Sequence, residues 1–197
     1  DWIPAVKDTW PVGPPAAPAA PTTLAATGGN AQVALTWTAP LGADFYRVQR
    51  STVSGGPYTT IVSGVTGTSH TDTAVSNDTK YFYVVSAVNA GGESALSSEA
   101  SATPRAPTAP QAPTGLTAVA GKKKVTLSWN AVAGATSYTV KRSATSGGPY
   151  SVAASGVTAT TFTNSGLATG VTYYFVVTAV GAGGESANSD QVSARPR

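Results

Sequence analysis

The chain has 197 residues, of which 41% are hydrophobic and only 11% charged, with 21 Gly, 14 Pro and neither Cys nor Met. That composition is globular but poor in charge. The lack of sulfur excludes disulfide scaffolds, zinc ribbons, thiol nucleophiles and sulfur-ligated haem, and the single His excludes a multi-histidine metal site within one chain. No apolar run approaches the ~20 residues that cross a bilayer, and no cleavable leader is recognisable, so a soluble chain without a membrane span is expected. Without an initiating methionine, it is expected to be a processed mature protein or a segment of a longer one. Twelve Lys and Arg against nine Asp and Glu give a net charge of +3, far short of a nucleic-acid footprint. The charge is unevenly spread, at −1 over residues 1–21, −2 over 22–104 and +6 over 105–197. Such opposite halves favour head-to-tail contact between chains, an effect that salt screens beyond ~8 Å.

The first twelve residues, DWIPAVKDTWPV, carry Trp2, Val6 and Trp10 on one face of an extended segment. Pro4 and Pro11 bar it from a central strand but allow an edge strand or a polyproline path. It either folds back on its own domain, or is the remnant of a neighbouring one, or lies with Trp2, Val6 and Trp10 on a sheet edge of another copy, a strand-addition mode. Pro15, Pro18 and Pro21 follow at a spacing of three, which puts their rings on one side of a polyproline II helix.

From there the chain repeats itself. Trp37 and Trp129, Tyr46 and Tyr138, and Tyr81 and Tyr173 are each 92 residues apart, and the register runs without a gap from Pro15 to Arg105. The two copies share Ser-Gly-Gly-Pro-Tyr at 54–58 and 146–150 and Gly-Gly-Glu-Ser at 91–94 and 183–186. Solenoid units are ~20–50 residues, so this period is a duplicated domain. Within each copy apolar residues alternate, as in Val33-x-Leu35-x-Trp37, Tyr46-x-Val48 and Tyr81-x-Tyr83-x-Val85-x-Ala87. That is strand periodicity, punctuated by glycine and asparagine turns, and no stretch has a helical period. Each sheet can bury only one face and needs a second to cover it, which predicts a β-sandwich of about seven strands per copy. Pro104, Pro107, Pro110 and Pro113 repeat the spacing of three between the copies. A free polyproline linker there would hold the domains apart by up to ~30 Å unless its rings pack back onto a domain.

These residues resemble the fibronectin type III family over both repeats. The family's early Trp is similar to Trp37 and Trp129, and its Tyr-x-Val strand to Tyr46-x-Val48 and Tyr138-x-Val140. Its tyrosine corner resembles Val75 with Tyr81 and Leu167 with Tyr173. The proline often present in that corner is replaced by Asn77 and Thr169, which puts the shape of the turn in question. The expected organisation is an all-β chain: an extended tail and linker over 1–21, an immunoglobulin-like fibronectin type III sandwich over 22–104, a Pro-rich linker over 105–112 and a second sandwich over 113–197. Trp37, Tyr81, Trp129 and Tyr173 are assigned to the structural core. The tryptophans stand at inward strand positions, where each buries ~150–250 Å², and a corner tyrosine can turn its hydroxyl to a nearby backbone group.

No residue set reads as catalytic. His70 aligns with Phe162 and so occupies a packing position. Glu93 and Glu185 are equivalent loop acids of separate copies, whereas a glycosidase pair needs two carboxyls within ~10 Å. Gly-Gly-Pro-Tyr lacks the helix and Lys-Ser/Thr of a phosphate loop and reads as a turn. Lys122, Lys123 and Lys124 form the one basic run, replacing Asn30, Ala31 and Gln32 of the first copy. They are either a solvated strand end or a contact for an anionic polysaccharide, a cell wall or the acidic first domain of another copy. Sugar stacking would need exposed aromatics, namely Tyr58, Tyr150, Trp2 and Trp10, and Asn77-Asp78-Thr79 is an N-glycosylation sequon. The sequence thus predicts a non-catalytic, secreted or cell-surface protein without cofactors. It is read first as a self-associating subunit of a surface fibre, whose partners are other copies. The alternative is a spacer or carbohydrate-binding accessory module of a secreted polysaccharide-degrading enzyme.

Overall fold

The computed structural model describes residue 13 and residues 15–197. The chain divides into two compact units, Asp1–Ala106 and Pro107–Arg197, both all-β, with no helix among the described residues. The first unit contains β1 (Thr22–Gly29), β2 (Gln32–Thr38), β3 (Phe45–Ser51), β4 (Thr59–Val65), β5 (Ser69–Asp72), β6 (Tyr81–Asn89), β7 (Gly92–Glu93) and β8 (Ala100–Ala102). One of its sheets runs β1-β2-β5, the other β4-β3-β6-β7 with β8 also on β6. The second unit repeats this with β9 (Thr117–Gly121), β10 (Lys124–Ser128), β11 (Ala135–Ser143), β12 (Ser151–Val157), β13 (Thr161–Ser165), β14 (Tyr173–Gly181), β15 (Gly184–Glu185) and β16 (Val192–Ala194). Its sheets are β13-β10-β9 and β12-β11-β14-β15, with β16 also on β14.

Eight strands per unit, rather than about seven, result from a break in the last one. Between β7 and β8 the Ser94 and Ser97 amides still donate to the Ala87 and Val85 carbonyls, each at 2.8 Å, and their hydroxyls supply the acceptors that the irregular backbone no longer offers. The amide of Ala87 donates to Ser94 Oγ at 2.9 Å and that of Val85 to Ser97 Oγ at 3.0 Å. Ser186 and Ser189 serve Ala179 and Val177 in the same way in the second unit. Buried amides go unpaired only at a cost, so the Ser-x-x-Ser spacing keeps the broken edge satisfied.

Alternation along β2 places Val33, Leu35 and Trp37 inward and leaves the residues between them exposed. Each unit has its own core. Trp37 and Trp129 are each only 5% exposed and stand edge-on to Tyr46 and Tyr138, with ring centroids 5.4 and 5.3 Å apart. The indole Nε1 of both tryptophans donates to no acceptor. At the corner, the amide of Ser76 donates to the Tyr81 hydroxyl at 3.0 Å and that of Ala168 to the Tyr173 hydroxyl at 3.2 Å, so the turn keeps its pin without a proline. Tyr81 is buried, whereas Tyr173 is half-buried and packs against the core from its margin.

The proline arms lie on the sandwiches they precede. Pro18, Pro21 and Pro113 are buried, and Asn89 Nδ2 donates to the Ala16 carbonyl at 2.9 Å. A Cβ on Gly91 would lie 1.8 Å from the Pro15 carbonyl oxygen, and one on Gly183 would lie 2.1 Å from the Thr108 carbonyl carbon. Only glycine allows the arm that close. Residues 107–113 therefore belong to the packing of the second unit instead of standing free as a spacer. Ordering a proline-rich arm costs little because φ is already fixed.

Candidate functional site

Trp2, Val6 and Trp10 lie outside the described residues. Lys122 and Lys123 form the turn between β9 and β10, Lys124 opens β10, and all three are exposed. The end of the chain returns beside them. The Lys123 amide donates to the Arg197 carbonyl at 2.9 Å, and the Arg197 amide donates to the Gly121 carbonyl at 3.0 Å. Arg195, also exposed, donates from Nε to the Gly170 carbonyl at 2.6 Å. Three lysines and two arginines from separate segments therefore share one pole of the second unit. Sequence reading singled out the lysines and missed Arg195 and Arg197, because only the tertiary fold brings residue 197 to residue 123.

The other candidates have structural partners. Glu93 accepts from Ser86 at 2.6 Å and from Arg47 at 2.5 Å. Its counterpart Glu185 accepts from Thr178 at 2.5 Å and from Lys141 at 2.7 Å. The Lys141 ammonium, followed by the Thr178 hydroxyl, holds the Glu185 carboxyl below its ordinary range. Asn77 is half-buried, with Nδ2 donating to Asn30 Oδ1 and Oδ1 accepting from the Ala31 amide, both at 2.8 Å, so its side chain is committed to the fold. His70 is half-buried on β5.

Tyr58 and Tyr150 are half-buried, and their hydroxyls are engaged. Ser-Gly-Gly-Pro-Tyr curls around one side chain of the opposite edge: Glu99 accepts from Ser54 Oγ and the Gly55 amide, each at 2.8 Å, and from the Tyr58 hydroxyl. In the second unit Gln191 takes that place, accepting from the Gly147 amide at 2.7 Å and the Tyr150 hydroxyl at 2.6 Å. The sequence signal for this grip was the motif repeated together with Glu99 and Gln191 at the same offset.

The substitution of Gln191 for Glu99 makes one grip titratable. The Gly55 amide above all, then the Tyr58 and Ser54 hydroxyls, holds the Glu99 carboxyl below its ordinary value. A carboxyl depressed on folding stabilises above its unfolded value of about 4.3, and that contribution is lost as pH falls through the lower folded value. Protection of the Gly55 amide against exchange, taken relative to its intrinsic rate at each pH, is therefore expected to fall below about pH 4 while that of the Gly147 amide does not, and Glu99→Gln should abolish the difference. NMR-detected exchange against pH checks this.

Arg50 has Arg142 as its counterpart, at the same 5.2 Å from the corner tyrosine, but the two copies differ in what surrounds it. Arg50 Nη1 donates to Asp72 Oδ2 at 2.8 Å and to the Ala74 carbonyl at 2.7 Å, and its guanidinium lies 5.2 Å from the Tyr81 ring centroid. Asp72, 4% exposed, also accepts from the fully buried Tyr83 hydroxyl at 3.0 Å. Burial, then the Asp72 charge, pushes the Tyr83 phenol far above its ordinary value. Asn164 replaces Asp72 in the second unit, accepting from Arg142 at 2.9 Å, and Phe175 replaces Tyr83. Clefts of about 250 and 310 Å³ flank Arg50, but its charge is already taken by Asp72. Among the described residues no group of three or more His, Asp or Glu could hold a metal, and no helix is long and apolar enough to cross a membrane.

The family profile described as Fibronectin type III domain matches residues 111–195. The amylopullulanase of Thermoanaerobacterium saccharolyticum is 46% identical over 89 residues, which make up 45% of this chain and 7% of that protein. That of Thermoanaerobacter thermohydrosulfuricus is 49% identical over 89 residues, 45% of this chain and 6% of that protein. A solved Fn3-like protein from Clostridium thermocellum is 52% identical, with 44% of this chain and 92% of that one covered and a TM-score of 0.42.

Proposed function

We propose that this chain, which belongs to the fibronectin type III family, is a non-catalytic accessory module of a secreted polysaccharide-degrading enzyme. The observation that carries this reading is the 46–49% identity to short segments of two amylopullulanases, of which the matched region is only 6–7%. A unit so small beside its host cannot be the bulk of the catalytic machinery, and here it is a self-contained sandwich. The packing supports a passive chemical role: Glu93, Glu185, Glu99 and Asp72 are all held in hydrogen bonds that complete the fold. The chain then acts as an arm that spaces or steadies neighbouring domains, and its work takes place outside the cell.

A domain exchange tests this. Replacing the matching segment of the T. saccharolyticum amylopullulanase with residues 107–197 should preserve its thermal half-life and its activity on insoluble polysaccharide, both of which deletion of the segment should lower. A chimera as impaired as the deletion would overturn the reading. Light scattering on the full chain should give a monomer; concentration-dependent filaments would instead favour the self-associating fibre subunit.

A further inference from the structure

We infer that the basic pole of the second domain, Lys122, Lys123, Lys124, Arg195 and Arg197, is a docking surface for an anionic, carboxylate-bearing polysaccharide. This goes beyond the accessory role and does not depend on it. The first domain provides an internal control. Its Arg105 amide donates to the Gly29 carbonyl at 3.0 Å as that of Arg197 donates to Gly121, and its Asp78 amide donates to Pro104 at 2.8 Å as that of Gly170 donates to Pro196. Even the strained turn position is shared, with φ of 51° at Ala31 and 55° at Lys123. The same scaffold thus forms in the first domain with Asn30, Ala31, Gln32 and Thr103 at the positions of the three lysines and Arg195, and with Asp78 near Arg105. The fold does not need the three lysines or Arg195, whose places the first domain fills with uncharged residues, and like charges at one pole repel one another.

No side chain among the described residues forms an ion pair with them. Of the second domain's two carboxylates, Glu185 holds Lys141, and Asp190 lies five residues before Arg195, ~16 Å along an extended strand. The partner's class follows from what surrounds the charge. None of the five side chains is aromatic, so the patch itself offers bases no stacking platform. A second copy is a poor match, because three of the first domain's five carboxylates are already engaged by Arg50, by Arg47 and by the Ser54–Tyr58 turn. A glycan with spaced carboxylates offers flexible single charges that the arginine forks and lysines can each meet.

The test uses the full chain and polygalacturonate, with neutral pullulan and duplex DNA alongside, by calorimetry at 50 and 200 mM salt. Binding to polygalacturonate should be salt-sensitive and absent for pullulan. The quadruple variant Lys122→Asn, Lys123→Ala, Lys124→Gln, Arg195→Thr carries the first domain's own residues, so it should keep its melting temperature and lose about tenfold or more in affinity. The reciprocal variant Asn30→Lys, Ala31→Lys, Gln32→Lys, Thr103→Arg should add a second binding equivalent. Undiminished binding by the quadruple variant, duplex DNA bound as tightly as polygalacturonate at equal salt, or self-association lost in the variant without glycan binding would each overturn the assignment.

Discussion

Replacing Trp37 by alanine is expected to lower the stability of the first domain by about 3–5 kcal/mol, against the ~5–15 kcal/mol that holds a typical domain together. The second domain should keep its own transition, because the two cores have no residue in common. Trp129→Ala should reverse the pattern. Each indole is 5% exposed and braced edge-on by a tyrosine, so alanine leaves a cavity that the rigid strands around it cannot close. Phenylalanine should be markedly milder. It keeps much of the ring's packing and removes an indole N–H that has no acceptor, and a buried unpaired donor costs ~1–3 kcal/mol. Calorimetry of the full chain should show one transition falling and one unmoved; both falling together would mean that the cores are not independent.

Asp72→Ala is expected to cost the first domain about 3 kcal/mol, more than Asn164→Ala costs the second. The carboxylate accepts from Arg50 and Tyr83 and also from the Ala74 amide at 3.0 Å. Its loss strands a fully buried phenol. Arg50 is less affected, because its side chain is 24% exposed and keeps the Ala74 carbonyl. Combining Asp72→Asn with Tyr83→Phe rebuilds the arrangement of the second domain, Asn164 with Phe175, and should recover most of the stability lost by Tyr83→Phe alone. A double-mutant cycle followed by urea denaturation measures this. Additive losses would show that the hydroxyl and the carboxylate are not coupled.

Much of the architecture was legible because it is written in local periodicity. Val33, Leu35 and Trp37 alternate with polar residues, and a period of two admits only a strand with one buried face. The recurrence of Trp, Tyr and Gly-Gly-Pro-Tyr after 92 residues could mean only a second copy. Less of the candidate site was readable. The lysine run is contiguous and therefore visible, whereas Arg195 and Arg197 join it only through the tertiary fold. The break in the last strand escaped notice because serine hydroxyls, which carry no periodicity, replace the missing ladder bonds. The fate of the proline arms likewise depended on Gly91 and Gly183, whose missing side chains reveal nothing about what lies above them.

The sequence by itself determined that this protein is all-β, duplicated and built around one tryptophan per copy, since those properties follow from spacing along the chain. Only the tertiary structure decided that Glu99 and Gln191 grip a distant turn, that Asp72 joins Arg50 to Tyr83, and that five cations gather at one pole. Each of these depends on which residues strand pairing and packing set side by side. That pairing is fixed by burying a whole face of apolar residues at once, and no single local segment contains it.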